Sequence, residues 1–297
     1  MEGVFTAQKR RKPFPTGKVI AFAVLVFYTL FLFVPLLIVF LTSVTSTEEL
    51  TSTTSFVWFP EVTFQPYAAV FTEDVSADYL GAPSLLVGFV NTLWMTLLPL
   101  IVGLIVSGLS AFAYSKLKFP GQKTLFRVSY LISTVPLGAF NVIAYTFYSQ
   151  IGWVGTPLPL IVPGMFGGMG TVFFLKMYYE GIPDSLLEAG RIDGLGIVGS
   201  FIRILFPLAV PAFVAQFIFG FVGGYNNYMG PLLYLEGVPE LVTLQLVLSD
   251  VRGTFPGLGK DNIHCAAAIL GMLPLIVIYC FLQKLFIEGV AVGGVKG

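Results

Sequence analysis

The side chains best suited to binding a solute form one short stretch, Tyr225-Asn226-Asn227-Tyr228. An apolar run begins at residue 208, so we expect this stretch to lie inside a membrane-spanning helix. An amide buried in hydrocarbon is costly unless it hydrogen-bonds to protein, water or a ligand. Two amides between flat aromatic rings offer the hydrogen bonds and the apolar face that a sugar needs. Hydrogen bonds between helices would use the same residues, and both interpretations stay open.

Residue patterns for catalysis are lacking. Neither Gly17-Lys18 nor Gly259-Lys260 has the earlier glycine of a phosphate-binding loop. His264 is the only histidine, and we expect it at the membrane edge. No metal cluster, nucleophile–base pair or buried carboxylate pair can be assembled. The sequence therefore predicts a chain that is not an enzyme, binds no metal or cofactor and cannot hydrolyse ATP by itself.

A charged, glycine-containing segment, residues 180–211, separates two strongly apolar regions. Pro183 suits the first turn of a helix, and Asp184 and Glu188 follow where a helix N-terminus favours negative charge. Asp193-Gly194 predicts a turn, because glycine adopts positive φ without steric cost. A second short helix follows the turn. The predicted product is a helical hairpin at the membrane surface, shaped to enter a cleft in a partner.

Apolar residues at three- to four-residue spacing give each arm of this hairpin one apolar side. In the first arm these are Ile182, Leu186 and Ala189 or Gly190, and in the second they are Ile197, Phe201, Ile204 and Leu205. Pro207 and Pro211 either end the second arm or carry it, with a kink, into the next apolar run.

The spacing Glu188-Ala189-Gly190, then Gly194, Ile204 and Phe206-Pro207, resembles the EAA signature of ABC-importer permeases. Gly190 stands where alanine is usual and Phe206 where leucine is usual, and Gly190 is expected to loosen the end of the first arm. In that family the segment docks into a groove on the ATP-hydrolysing subunit. The residues to which the resemblance assigns this coupling role are Glu188, Ala189, Gly190, Asp193, Gly194, Ile204 and Pro207.

The C-terminal residues 288–297, EGVAVGGVKG, look like the tail of the smaller maltose-type sugar permease. Residues 225–228 also resemble an asparagine-containing motif of carbohydrate permeases, in which polar residues of one of the paired subunits contact sugar. The resemblance covers residues 85–297 well and the first span more loosely. It implies a permease domain of five helices over 85–297, after a segment 1–84 that comprises a tail, one helix and an external loop.

The composition is that of a membrane protein, with 56% hydrophobic and 11% charged residues. A helix needs about 20 apolar residues to cross the bilayer core. Charge-free runs predict six spans in an all-α polytopic fold. They are residues 19–42, 86–115, two spans within 128–175 with a break near 152–159, 208–235 and 266–283.

Basic residues set the orientation, because they are retained on the cytoplasmic side. With the N-terminus inside, all 16 Lys and Arg residues except Arg252 and Lys260 face the cytoplasm. We therefore expect a multi-pass protein of a prokaryotic cytoplasmic membrane, with both termini inside. Residues 236–262 then form an external loop. Its Gly253, Pro256, Gly257 and Gly259 predict flexibility, and the resemblance implies that it reaches into a solute-binding protein.

These features predict the permease subunit of a binding-protein-dependent ABC importer for a sugar or oligosaccharide. The implied partners are a second, different permease, two ATPases that carry ATP and Mg, a solute-binding protein and membrane lipid, with no nucleic acid. Permeases for polyamines or phosphonates share the EAA segment and stay an alternative. A secondary carrier is disfavoured because no ionisable side chain lies mid-span, and a membrane sensor lacks a signalling domain.

Overall fold

The computed structural model describes residues 16–53, 56–135, 140–235, 237–257 and 259–294. All regular secondary structure in these residues is helical, which confirms the predicted all-α class. The basic residues 1–15 and the terminal Val295-Lys296-Gly297, on which predictions above rest, lie outside the described residues.

The helices were numbered in chain order. They are α1 (Thr16–Ser43), α2 (Thr47–Ser52), α3 (Gln65–Thr72), α4 (Ala77–Leu80), α5 (Ser84–Lys116), α6 (Gln122–Ser133), α7 (Asn141–Gln150), α8 (Leu158–Met165), α9 (Met169–Glu180), α10 (Asp184–Ile192), α11 (Ile197–Ser200), a π-helical turn (Phe201–Leu205), α12 (Phe206–Tyr225), α13 (Met229–Tyr234), a 3-10 turn (Pro239–Leu241), α14 (Leu244–Ser249), α15 (Val251–Thr254) and α16 (Asp261–Gly294).

Two hydrophobic cores lie at the two ends of the helical bundle. At one end, α5 and α9 pack on the hairpin, residues 184–205, and the buried side chains include Phe112, Leu175, Tyr179, Phe201 and Leu205. At the other end, α3, α14 and the start of α16 pack around α5 and α12, and the buried side chains include Val70, Leu85, Phe221, Leu244 and Ile263. These ends are called the hairpin end and the opposite end below.

Five helical segments in the described residues are long and apolar enough to cross a bilayer. They are Gly17–Ser43, Ser84–Lys116, Leu158–Glu180, Ile197–Tyr225 and Asp261–Val290. The predicted fifth span, 208–235, is wrong at its end, because α12 stops at Tyr225. The predicted last span is too short, because α16 begins at Asp261 and continues to Gly294.

The first of the two spans predicted within residues 128–175 corresponds to α6 and α7, and it would bring the total to six. Phe126 of α6 lies near Lys176 of α9 at the hairpin end, with 5.0 Å between the ring centroid and Nζ. Tyr148 of α7 packs against Tyr234 at the opposite end, with ring centroids 5.4 Å apart. Residues 136–139 between α6 and α7 lie outside the described residues, so the sixth span stays a prediction.

Helix α5 is the centre of the bundle and packs against α8, α9, α12 and α14. Glycines let it approach α8 closely, because a Cβ added at Gly103 would lie 2.4 Å from the Gly164 carbonyl oxygen. Gly167 follows α8 and has φ +74°. A Cβ added there would lie 2.2 Å from Ser107 Oγ of α5. Only glycine fits at these positions, and their contacts fix one wall of the cavity described below.

Candidate functional site

The hairpin turns at the predicted position. Gly194 has φ +84°, the left-handed region that favours glycine. The Leu195 N–H donates to the Gly190 carbonyl at 2.8 Å, and the Asp193 N–H donates to the Ala189 carbonyl at 3.0 Å. These bonds satisfy carbonyl groups at the end of α10, as in other glycine-terminated helices. The turn is therefore closed by hydrogen bonds within its own backbone.

Gly190 and Ile204 meet from the two arms of the hairpin. Gly190 is buried, and a Cβ added there would lie 2.4 Å from Ile204 Cδ1. The expectation that Gly190 loosens the first arm is therefore wrong. The missing side chain instead leaves the space into which Ile204 packs, and this contact joins the arms.

The buried sides of the two arms differ in part from the prediction. In α10 the buried side chain is Leu187, which is 5% exposed, whereas the predicted Leu186 is 44% exposed. In the second arm Phe201 and Leu205 are buried as predicted, but Ile197 is exposed. Leucines at both 186 and 187 allow two apolar faces with the same period, so periodicity could not choose between them.

The hairpin exposes both acidic and apolar side chains on its surface. Glu188, Ala189 and Asp193 are exposed, and Glu188 takes part in no ion pair within the described part of the chain. Ile192 is 87% exposed and Val198 is 66% exposed. An apolar surface with acidic groups beside it has the composition of a protein-binding surface.

The second arm continues without a break into α12, the second of the two predicted alternatives for Pro207 and Pro211. A π-helical turn, Phe201–Leu205, lies directly before α12. Pro207 falls in the first turn of α12 and is exposed. A proline clashes with the carbonyl group one turn earlier in a regular helix, and the wider π turn relieves that clash. The second arm and α12 therefore form one continuous helical segment.

Lys116 ties the hairpin to the end of α5. Its side chain is only 5% exposed, and its Nζ donates to the Ile182 carbonyl at 2.7 Å and to Asp184 Oδ1 at 2.6 Å. The hydrogen bond and the charge of Lys116 lower the pKa of the Asp184 carboxyl below its usual value. Sequence reasoning assigned Lys116 only to the cytoplasmic side. Its partner lies 68 positions away, so local spacing held no signal for the contact.

Residues 226–228 form a break between α12 and α13, and Tyr225 is the last residue of α12. Asn226 Nδ2 donates to the Val222 carbonyl at 2.9 Å, one turn earlier, and Asn227 Oδ1 accepts from the Gly230 N–H at 3.1 Å. Asparagine side chains compete with the helix for backbone groups, which explains why α12 ends here and α13 begins soon after.

The four residues of this stretch do not form one surface. Tyr225 is buried and donates its hydroxyl to the Gly271 carbonyl of α16 at 2.7 Å. Asn226 Oδ1 accepts from Gln245 Nε2 at 3.2 Å. Asn227 lines a central cavity, and Tyr228 lines a separate cleft of about 460 Å³ at the opposite end. A sugar site formed by both amides between both rings is therefore not what the fold assembles.

The central cavity has a volume of about 240 Å³ and lies between α5, α8 and α12. Its polar lining consists of Thr92, Thr96, Asn227 and Thr243, and its apolar lining includes Met95, Pro99, Leu100 and Leu160. The Thr243 hydroxyl is buried and has no hydrogen-bond partner among the residues that the structure describes. Hydroxyl and amide groups opposite apolar side chains can bind a polyhydroxylated ring, which presents both kinds of surface.

Residues 237–257 and 259–262 are more ordered than the predicted flexible loop. Helix α14 packs against α5 and α16, and α15 begins where Asp250 Oδ1 accepts from the Gly253 N–H at 3.0 Å. Thr254 and Phe255 are buried. This segment supplies Thr243 to the cavity and Gln245 to Asn226, two residues that sequence reasoning missed because their neighbours are distant in the chain.

Comparison with known proteins gives one matching family model and several relatives. Residues 100–292 match the model described as binding-protein-dependent transport system inner membrane component. The arabinooligosaccharides transport system permease protein AraQ of Bacillus subtilis is 30% identical over 70% of this chain and 73% of its own length. The maltodextrin transport system permease protein MdxG of the same organism is 28% identical over 70% of this chain and 74% of its own.

Solved structures share this fold. One of them is a chain from the crystal structure of a bacterial ABC transporter involved in the import of the acidic polysaccharide alginate. The TM-score is 0.74, and the match covers 93% of this chain and 100% of that one at 19% identity.

Proposed function

Because this chain belongs to the family of binding-protein-dependent transport system inner membrane components, we propose that it is the permease of an ATP-driven importer for a sugar or oligosaccharide. In this proposal two separate ATPases bind ATP and Mg, a second, different permease completes the pathway, and an external solute-binding protein delivers the solute. Relatives named for arabinooligosaccharides and maltodextrin support a carbohydrate as the solute.

The experiment for this proposal is purification of the tagged full chain from cells that also produce the proteins encoded beside it. We expect an ATPase and a second permease to co-purify, and we expect the reconstituted complex to take up a labelled oligosaccharide only with ATP and the binding protein. Uptake without ATPase subunits would instead support a secondary carrier. ATP-dependent uptake of a polyamine or phosphonate but no sugar would contradict the carbohydrate assignment.

The proposed orientation puts the hairpin end at the cytoplasmic surface. Single cysteines at Ser185 and Tyr79, in a chain whose Cys265 and Cys280 are replaced by alanine, would test it. Ser185 and Tyr79 are exposed on the hairpin and on α4. A membrane-impermeant maleimide should label Tyr79→Cys in spheroplasts and Ser185→Cys only in inverted vesicles. The reverse pattern would contradict the proposed topology.

The observation that best supports ATP coupling is the rigid hairpin with uncovered Glu188 and Ile192. ATP binding would close the ATPase dimer and draw the paired hairpins together. Because the second arm continues into α12, and Lys116 connects the first arm to α5, this movement reaches two of the three helices that line the cavity. The cavity would then open to the outside.

We assign the central cavity to the solute pathway. Its volume of about 240 Å³ is below the roughly 300–1,000 Å³ of a complete ligand pocket, so the partner permease would supply the remaining wall. Thr243→Val tests the assignment, because valine keeps the shape and removes the buried hydroxyl. If this hydroxyl binds solute, uptake falls several-fold at an unchanged melting temperature. A higher melting temperature with unchanged uptake would contradict that role.

A further inference from the structure

A basic cavity lies at the hairpin end, outside the solute pathway. It has a volume of about 570 Å³ and is formed by the end of α5, the start of α6 and α9. Its basic residues are Lys116, Lys118, Lys123, Arg127 and Lys176, and its acidic residues are Glu180 and Asp184. With five positive and two negative side chains, the cavity carries a net positive charge.

The acids in this cavity are already paired. Asp184 accepts from Lys116 at 2.6 Å, and Glu180 accepts from Lys176 at 2.5 Å. The remaining basic groups belong to Lys118, Lys123 and Arg127. They are exposed and take part in no ion pair within the described ranges of the chain. The three surplus charges therefore lie where an anion can approach them.

Apolar side chains extend from this basic group along α6. The first two turns of α6 carry Lys123 and Arg127. The same helix exposes the apolar side chains of Leu125, Val128, Leu131 and Ile132. Phe126 lines the cavity, and its ring lies 5.0 Å from the Lys176 ammonium group. Cationic groups at one end of an exposed apolar helix match the two parts of a phospholipid, an anionic headgroup and an acyl chain. A soluble anion would use only the cationic end.

We propose that this cavity binds the phosphate headgroup of an anionic phospholipid, with an acyl chain along α6. The inference rests on the proposed position of the hairpin end at the cytoplasmic surface, which the cysteine labelling tests separately. Lys118, Lys123 and Arg127 bind the headgroup, while Leu131 and Ile132 contact the chain. Since Lys116 and Asp184 line the same cavity, the bound lipid also supports the contact between α5 and the hairpin.

The test compares two double variants of the full chain in its purified complex. Lys123→Gln with Arg127→Gln removes two charges from the cavity. Lys18→Gln with Lys284→Gln is the matched control, because it removes two exposed charges, one at the start of α1 and one in the C-terminal half of α16. Native mass spectrometry measures retained phosphatidylglycerol and phosphatidylcholine. Since each basic residue near an anionic lipid contributes about a fivefold change, we expect roughly 25-fold weaker phosphatidylglycerol retention in the cavity variant.

The control variant should retain phosphatidylglycerol as the unaltered complex does, and phosphatidylcholine should bind weakly to all three. Millimolar inorganic phosphate distinguishes the headgroup from a free anion. Competition by phosphate without any preference between the two lipids would overturn the assignment to a lipid. Loss of the ATPase subunits from the cavity variant, with lipid retention unchanged, would show a protein-docking surface instead and would also overturn it. Equal loss of lipid in both variants would show that the site is not specific.

Discussion

The hairpin and the central cavity are built in opposite ways. The hairpin is one run of residues, 184–205, closed by its own hydrogen bonds, and of its exposed charged side chains only Asp184 forms an ion pair within the described residues. The cavity takes Thr92, Leu160, Gly220, Asn227 and Thr243 from four separate parts of the chain. Substitutions on the hairpin surface should therefore change coupling and leave stability intact, whereas cavity substitutions risk changing both.

Glu188→Lys should have the largest effect on uptake. Glu188 is exposed, and we expect it to pair with a basic group on the ATPase. Replacing an interface charge pair by repulsion costs about 2 kcal/mol or more, which is on the order of a 30-fold loss of uptake. The melting temperature of the chain should not change, and Glu188→Gln should lose less. Normal assembly and uptake by Glu188→Lys would remove this residue from the coupling surface.

Lys116→Met should have the second-largest effect on uptake. It tests whether coupling through the hairpin depends on the contact between the hairpin and α5. The change removes a buried cation that donates to Ile182 and Asp184. A loss of about 1.5 kcal/mol would reduce ATP-coupled uptake by about tenfold. The melting temperature should also fall, unlike that of Glu188→Lys. Lys284→Met is the matched control on an exposed residue, and an equal effect of the two variants would contradict the role of the contact.

Asn227→Ala should reduce uptake several-fold, since a hydrogen bond contributes about 0.5–1.5 kcal/mol net. Asn227 lines the cavity but also accepts a hydrogen bond from the Gly230 N–H. The melting temperature of the Asn227→Ala variant should therefore fall slightly. Asn226→Ala is the comparison, because Asn226 bonds to Val222 and Gln245. We expect it to lower stability with near-normal uptake per folded complex. If both variants show lower stability with near-normal uptake, neither asparagine binds the solute.

The smallest effect should be the pH dependence of the Asp184 contact. Lys116 lowers the pKa of Asp184 in the folded chain below the ordinary value of an aspartate. The contact therefore contributes stability above the unfolded pKa, and that contribution disappears as the pH falls through the lowered folded pKa. Because Asp184 is mostly exposed, we expect only a slight drop in melting temperature in acid, absent from Asp184→Asn. An identical acid response in both chains would contradict this contribution.

Local features of the hairpin were predictable because neighbouring residues determine them. The turn at Gly194 follows from the conformational freedom of glycine, and the start of α10 after Pro183 follows from proline and the helix dipole. The choice between Leu186 and Leu187 was not predictable. Both fit the helical period, and the packing of the two arms selects Leu187.

The end of α12 was also not predictable from the sequence. Apolar composition predicted a span to residue 235, since hydropathy records how apolar a stretch is and not which backbone groups its side chains bind. Two amide side chains change the hydropathy of the run little. However, the hydrogen bonds of Asn226 to Val222 and of Asn227 to Gly230 replace backbone hydrogen bonds of a helix. An amide within an apolar run signals either a buried site or a helix end, and the sequence holds no further information to separate them.

By itself, the sequence determined the all-α class, the approximate positions but not all the ends of the five spans found in the described residues, and the turn of the hairpin, because hydrophobic runs and turn residues act over short distances. The tertiary structure alone decided that Lys116 anchors the hairpin, that Thr243 reaches the cavity and that the four residues 225–228 separate into different environments. Each of these joins groups from distant parts of the chain. Such contacts depend on how the helices pack around α5, and packing at glycines such as Gly103 and Gly164 is a property of pairs of helices that neither helix specifies alone.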